Sequence, residues 1–232
     1  MPISLVGSEM CIRDRLTYGI PEFKLEKSII LKRREMLEEL GVKFVLNTEV
    51  DTKKVAEIEK KSDAIFLGLG TYESIKGKIE GTDKTGVVEA LPYLIKNTEY
   101  LMDPDDAEKI DFKDQRVAVL GGGDTAMDCV RTAVRQQAKS VTCIYRRDQE
   151  NMPGSIREIK HAMEEGVDFL FNTQPLKVEG NGSITSLKVC ETKLGEPDAT
   201  GRQRPELIQG SEKAIEVDKL VIAFGYQADV PD

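Results

Sequence analysis

Histidine occurs once in these 232 residues, as His161. Nucleophilic catalysis of the Ser/His/Asp kind needs an imidazole base, so it has nowhere to sit except around that residue. Zinc chemistry has equally little to draw on. The four cysteines, Cys11, Cys129, Cys143 and Cys190, are scattered and form no C-x-x-C pair. That spacing offers neither a dithiol redox motif nor a metal knuckle, and it fits free thiols in a reducing compartment. No apolar run approaches the roughly 18–20 residues that span a bilayer. The N-terminus also lacks the basic-then-apolar order of a secretory signal. Positive charge is in deficit: 33 Lys plus Arg against 41 Asp plus Glu leave a net charge of -8. Such a chain has no net field to gather nucleic acid or an anionic membrane. The expectation is a cytoplasmic protein with neither as a partner.

What is present is a globular composition, 40% hydrophobic, and enough chain for one large or two modest domains. Residues 1–15 carry no periodicity and are read as a non-native leader, set aside from fold reasoning. A Gly-Ile-Pro turn at 19–21 opens the orderly part, followed by a helix over 25–40 that Gly41 stops. Its apolar stripe is Leu25, Ile29, Met36, Leu37 and Leu40, with Arg33 inside the stripe, its guanidinium reaching a rim or a ligand. A strand at 42–46, a charged helix at 53–61 and an apolar run at 64–69 look like part of a sheet-based domain, read as 16–72. Residues 73–113 read as a connector containing a helix near 88–101.

From 114 onward, strands at 117–120, 141–145 and 167–171 alternate with helices at 125–137 and 155–165. That alternation predicts an α/β domain, a parallel sheet wrapped by helices, extending to 225. A β-like stretch at 187–192, a polar loop at 195–210 and an apolar strand at 220–224 complete it, and 226–232 begins a return to the first domain.

The chemistry-bearing element is V-A-V-L-G-G-G-D-T-A-M-D-C-V, in which Gly121, Gly123 and Ala126 have G-x-G-x-x-A spacing between an apolar strand and an amphipathic helix. In such a unit the first glycine permits a tight turn, the second lets backbone approach a pyrophosphate, and the alanine lets helix pack on strand. The helix N-terminus adds unpaired N–H groups and the positive end of its dipole. Gly122 lies within the loop, while Asp124 and Thr125 are either caps for those N–H groups or ligand contacts. Along the helix Ala126, Met127, Val130, Ala133 and Val134 share one face, leaving Asp128, Arg131 and Arg135 on the expected solvent side. At the end of the second strand stand Arg146 and Arg147, where an acidic residue would accept the ribose hydroxyl of NAD. A guanidinium there can grip the additional phosphate of NADP, so NADPH is the expected dinucleotide. Asp148 follows immediately and is the one competing acceptor. His161 falls opposite Ile156, Ile159 and Met163 on its helix, a solvated place.

The segments L-T-Y-G-I-P-E-F-K-L (16–25), F-L-G-L-G-T-Y (66–72), L-G-G-G-D-T-A-M-D-C-V-R-T-A (120–133), Y-R-R-D-Q-E-N-M-P-G-S (145–155) and A-F-G-Y (223–226) resemble the small-subunit family of NADPH-dependent glutamate synthases. The resemblance covers nearly everything from Leu16 onward and extends to the amino-terminal half of dihydropyrimidine dehydrogenase and to ferredoxin:NADP oxidoreductase subunits. It implies a Rossmann-like NADPH-binding domain inserted in a FAD-binding domain. NADPH gives a hydride to FAD, and electrons pass through 4Fe-4S clusters to the glutamate synthase large subunit, which makes glutamate from glutamine and 2-oxoglutarate. Carried over by position, Gly121 to Ala126, Arg146, Arg147, Ala223, Phe224 and Gly225 would line the NADPH site, and Lys24 and Val50 would touch FAD. The family's cluster-binding cysteines, first glycine loop and closing flavin segment have no counterpart, so the expectation is an internal fragment of an NADPH-dependent flavoprotein oxidoreductase with an incomplete FAD site; the alternatives are a ferredoxin:NADP oxidoreductase or dihydropyrimidine dehydrogenase-like subunit or, for the isolated fragment, a non-catalytic NADPH-binding module. Thioredoxin reductases share the layout but require the absent C-x-x-C pair.

Overall fold

The computed structural model describes residues 4–6 (main chain only), 15–45, 48, 50–68, 71, 73–75, 77–105, 107–108, 110–197 and 203–227. The remainder of the leader before Arg15, the end of the apolar run at 69–70 and residues 228–232 lie outside the described residues. The chain divides into two compact units, one of residues 1–73 with 228–232 and one of residues 74–227.

In the first unit, β1 (Ser4–Val6) pairs in parallel with β2 (Lys43–Val45), so the leader contributes a strand. Between them runs α1 (Lys27–Glu39), ended by Gly41 at φ +88°. The expected stripe of α1 is not its buried side: Ile29, Met36 and Leu40 are exposed, and Arg33 is exposed with its guanidinium against the Met36 sulfur. Lys27 and Ile30 turn inward instead, because the Lys27 ammonium donates to the carbonyls of Leu16 (3.1 Å) and Ile20 (2.5 Å) in the preceding turn. Helix α2 (Thr52–Glu59) begins with Asp51, whose carboxylate accepts the Lys54 N–H at 2.8 Å, a side-chain N-cap. Residues 64–68 form neither helix nor strand, and they are exposed.

The short strand β3 (Glu73–Ser74) leads into the second unit, which holds β4 (Val87–Glu89), α3 (Ala90–Met102), β5 (Arg116–Leu120), α4 (Asp124–Arg135), β6 (Ser140–Ile144), α5 (Ile156–Glu164) and β7 (Asp168–Leu170). There follow β8 (Thr173–Glu179), β9 (Ser186–Pro197), β10 (Gln203–Leu207), β11 (Lys213–Glu216), β12 (Lys219–Ile222) and β13 (Tyr226–Gln227). Five strands make a parallel sheet in the order β4-β12-β5-β6-β7. A separate antiparallel sheet is built on β9, which pairs with β8, β10 and β11.

Alternation along the parallel strands decides what covers each face. Val117, Val119, Val141, Cys143 and Val221 pack with α3, α4 and α5, while Ala118, Leu120, Ile144, Leu220 and Ile222 pack with Val178 of β8 and Leu187 and Val189 of β9. The order is therefore helices, parallel sheet, antiparallel sheet. Residues 73–113 do more than connect. They supply the edge strand β4 and helix α3, and Tyr93 of α3 stacks on Phe112 with centroids 4.5 Å apart in the core. The expected polar loop at 195–210 likewise contains β10.

Helix α4 is buried on more than one side. Asp128 and Arg131, read from periodicity as solvated, are 6% and 7% exposed, because α3 and α5 flank the helix in addition to the sheet beneath it. The Arg131 guanidinium donates to Glu158 (2.7 Å) and to Glu165 (2.9 and 3.0 Å), and Arg135 donates to the same Glu165 at 2.6 and 3.0 Å. The inward side of α5 is accordingly Glu158, Ile159 and Ala162, while Ile156 is 85% exposed and His161 is half-buried.

Candidate functional site

The sheet order places the site. Strand β6 lies on one side of β5 and β12 on the other, so the chain leaves β5 at a topological switch point, where open α/β sheets form a crevice at the carboxyl ends of their strands. The residues there are the glycine loop after β5, the Tyr145 to Asp148 turn after β6 and Ala223 to Gly225 after β12.

Each glycine of the loop has a different reason. Gly121 has φ +142°, and a Cβ there would lie 2.3 Å from the carbonyl oxygen of Ala223. Only glycine lets these two strand ends approach so closely. A Cβ on Gly122 would lie 2.7 Å from ring carbons of Tyr145, so the loop rests on that ring. Gly123 is different: its backbone, at φ -89° and ψ 175°, is open to any residue, and a Cβ there would meet nothing within 4 Å. The space beside Gly123 is open above the N-terminus of α4, whose N-cap it is. An open position at a helix N-terminus is one that backbone N–H groups leave accessible to an anion. Ala126 is fully buried at the start of the same helix.

The segment 151–155 closes over the loop. Gly154 donates its N–H to the Gly122 carbonyl (2.9 Å), and the Asp124 carboxylate accepts the Ser155 N–H at 2.8 Å. Asp124 therefore does not cap its own helix; it holds the start of α5. Thr125 is half-buried beside it.

At the end of β6, Arg146 is exposed, and Arg147 is held over the Tyr145 ring, 5.7 Å from its centroid, with Nε donating to the Tyr145 hydroxyl at 3.1 Å. Among the described residues no carboxylate pairs with either arginine. Asp148 is used locally: its carboxylate accepts both the backbone N–H and the side-chain amide of Asn151, at 2.9 and 2.8 Å. Both bonds go to one carboxylate oxygen, Oδ1, and they fix the orientation of the Asp148 side chain toward the segment 151–155.

Across the switch point, Ala223 donates its N–H to Leu120 and extends the β12–β5 ladder by one residue. The Phe224 ring lies against Gly77, where a Cβ would come within 2.8 Å, and Gly225, at φ +102°, accepts the Ile75 N–H. The Tyr226 hydroxyl accepts the Leu91 N–H at 2.8 Å and so occupies the N-terminus of α3, a feature with no periodic signal in the sequence. Lys24 and Val50 lie in the first unit, the former half-buried and the latter 37% exposed.

Cys129, Cys143 and Cys190 are buried free thiols. Burial pushes the Cys143 thiol up to about 12, and its sulfur donates to the Gly121 carbonyl at 3.2 Å, so it serves the loop as a small hydrogen-bonding core residue. Among the described residues no group of three or more His, Cys, Asp or Glu is placed to hold a metal ion, and no helix is long and apolar enough to cross a membrane.

Residues 51–232 match the family described as pyridine nucleotide-disulphide oxidoreductase. The chain is 52% identical over 218 residues to the glutamate synthase [NADPH] small chain of Escherichia coli (strain K12), a match covering 91% of this chain and 46% of that protein. It is 47% identical over 217 residues to the putative oxidoreductase AegA of the same organism, covering 91% and 33%. It thus spans about half or less of the curated relatives it matches. Among solved structures, FprA from Mycobacterium tuberculosis in complex with NADPH superposes with a TM-score of 0.76 at 15% identity, over 100% of this chain and 65% of that one. At that identity the likeness speaks for the fold.

Proposed function

Because the chain belongs to the pyridine nucleotide-disulphide oxidoreductase family, we propose that its second unit binds NADPH and that the protein works as the electron-input subunit of a glutamate synthase, in the cytoplasm. The observation that carries the NADPH reading is the pairing of an open cradle at Gly123 with two arginines unopposed by a carboxylate at the end of β6. Backbone N–H groups at the start of α4 would take the pyrophosphate, and Arg146 and Arg147 the 2′-phosphate, through charge-assisted bonds. Asp148 is turned toward Asn151 by two hydrogen bonds to one of its oxygens, which favours the arginines as the groups that meet the ribose phosphate.

FAD, when bound, supplies the ring that accepts the hydride. For this chain's own residues the task is alignment, since hydride transfer needs little acid or base help from side chains. Loop Gly121 to Ala126 fixes the dinucleotide's phosphates, and Ala223 to Gly225 would border the nicotinamide end. Lys24 and Val50 are assigned to FAD by the family resemblance alone. The same resemblance supports 4Fe-4S clusters and a glutamate synthase large subunit as partners, with no residue of this chain assigned to a cluster.

Equilibrium titration of the chain with NADPH and NADH tests the first part. Tighter binding of NADPH, with a gap narrowed by Arg146→Ala, is expected; equal affinities would overturn it. Mixing with a glutamate synthase large subunit tests the second. NADPH-dependent glutamate formation from glutamine and 2-oxoglutarate supports it, whereas absence of assembly overturns it. The 47% identity to a putative oxidoreductase favours one other reading, in which the same NADPH unit feeds a different acceptor.

A further inference from the structure

Tyr145 touches both halves of the dinucleotide site. It is 7% exposed and follows β6, where its N–H donates to Leu170 and its carbonyl accepts from Thr173, so its backbone is held from both sides. The ring lies under Gly122, and the Arg147 guanidinium sits over the ring. A phenol hydroxyl has one proton to give and lone pairs to accept with. Here the proton goes to the Asn151 carbonyl at 2.7 Å, and a lone pair takes the Arg147 Nε proton at 3.1 Å. Asn151 is itself tied to Asp148 by two hydrogen bonds. The hydroxyl is thus the junction between the turn carrying the arginines and the segment that closes over the glycine loop.

We propose that Tyr145 is a positioning residue for dinucleotide discrimination: by taking the Nε edge of Arg147, it presents the two Nη groups to a 2′-phosphate. The inference rests on the NADPH reading above and adds a residue to it. An arginine with four rotatable bonds loses much freedom when it grips a phosphate. One already held at Nε and stacked on a ring loses less. The tyrosine therefore strengthens binding of the phosphorylated ribose without contacting it. Its ring packing under Gly122 serves both dinucleotides alike, and only its hydroxyl should tell them apart.

The test is Tyr145→Phe in the full chain, which keeps the ring under Gly122 and beneath the guanidinium but removes the hydroxyl. Binding of NADPH, NADH, 2′,5′-ADP and 5′-AMP is measured by calorimetry for wild type, Tyr145→Phe, Arg147→Ala and the double variant, with thermal melts as a folding control. The expected result for Tyr145→Phe is a loss of about five- to tenfold for NADPH and 2′,5′-ADP, the upper part of the range for one net hydrogen bond, as fits a group that orders the arginine and does not touch the ligand, against less than about twofold for NADH and 5′-AMP. In the Arg147→Ala background the same change should cost nothing further. Equal losses for phosphorylated and unphosphorylated ligands, no loss for either, or additive losses in the double variant would overturn the inference. If wild type prefers NADPH and Arg147→Ala removes that preference while Tyr145→Phe leaves it, only the role of Tyr145 fails. A wild type without preference overturns the NADPH reading as well.

Discussion

The carboxylate of Asp124, at the start of α4, accepts the backbone N–H of Ser155, at the start of α5, at 2.8 Å. Two helix N-termini are thereby held side by side at the candidate site, and a second bond, from Gly154 to the Gly122 carbonyl, runs in parallel. The polar clasp determines where the segment 151–155 lies. Asp124→Ala should release it, raising amide hydrogen exchange at Ser155 about fivefold or more, the scale of one net hydrogen bond. Asp124→Asn keeps an acceptor oxygen and should retain most of the protection. If Asp124→Ala leaves exchange at Ser155 unchanged, the clasp does not hold the segment.

The three loop glycines separate folding from binding. Gly121→Ala places a methyl 2.3 Å from the Ala223 carbonyl on a backbone at φ +142°, and should destabilise the fold by about 3 kcal/mol or more. Gly123→Ala meets no atom within 4 Å and needs no change of φ. It should cost about 1 kcal/mol or less, the difference between glycine and alanine at an N-cap, yet weaken NADPH binding at least tenfold by filling the phosphate cradle. Thermal melts and titrations on the same two proteins check both halves. A Gly123→Ala variant that binds NADPH normally would move the phosphate site elsewhere.

Arg131 joins α4 to α5 from inside the structure, with side-chain exposures of 9% for Arg131 and 6% for Glu158. Removing one member of a buried pair costs about 3–5 kcal/mol, and the lower end applies here because Glu165 keeps Arg135 and Glu158 keeps Arg157 at 3.6 Å. Arg131→Met should show a loss of that order in urea unfolding. Lys160→Ala, whose pair with Glu164 is on the surface, should change stability by about 0.5 kcal/mol or less. Comparable losses from the two variants would mean that the α4–α5 network carries no special weight.

How far the sequence revealed this arrangement varied with the range of the interactions. The strand, glycine loop and helix through residues 116–135 were legible because turn chemistry, helix start and apolar periodicity all lie within a few residues of one another. Periodicity puts Arg131 on the solvent side because it supposes one covered face, and α4 is covered by α3 and α5 as well as by the sheet. Strand β4 lies in a stretch that reads as a connector, because its pairing with β12 joins Val87 to Leu220, far beyond any local window. Strand β10 reads as a polar loop because it is an edge strand, paired among the described residues with β9 alone, and contains Pro205, which an edge tolerates. The Arg146–Arg147 pair is legible as a basic pair at a strand end, but the arrangement of Tyr145, Asp148 and Asn151 around it depends on side-chain geometry that spacing does not encode.

Acid should attack the α4–α5 junction first through Glu165. Burial alone would raise this carboxyl, but hydrogen bonds from Arg135 and Arg131 outweigh it and hold the group at about 2, below the ordinary 4.5. A carboxyl whose folded value is depressed contributes stability that is fully present above its unfolded value and is lost as pH falls through the folded one. Glu165 therefore stabilises the fold above about pH 4.5, and its contribution fades between there and about pH 2. Asp218, held at about 2 by its hydrogen bonds with Arg116 against an ordinary 3.8, fades over the lower part of the same range. Urea midpoints of wild type and Glu165→Gln, followed from pH 7 to pH 2.5, should show a gap that is constant down to about pH 5 and then closes as the wild-type carboxylate takes up its proton. A gap independent of pH across that range would show that Glu165 contributes by packing, not by charge, and that acid unfolding begins elsewhere in the molecule.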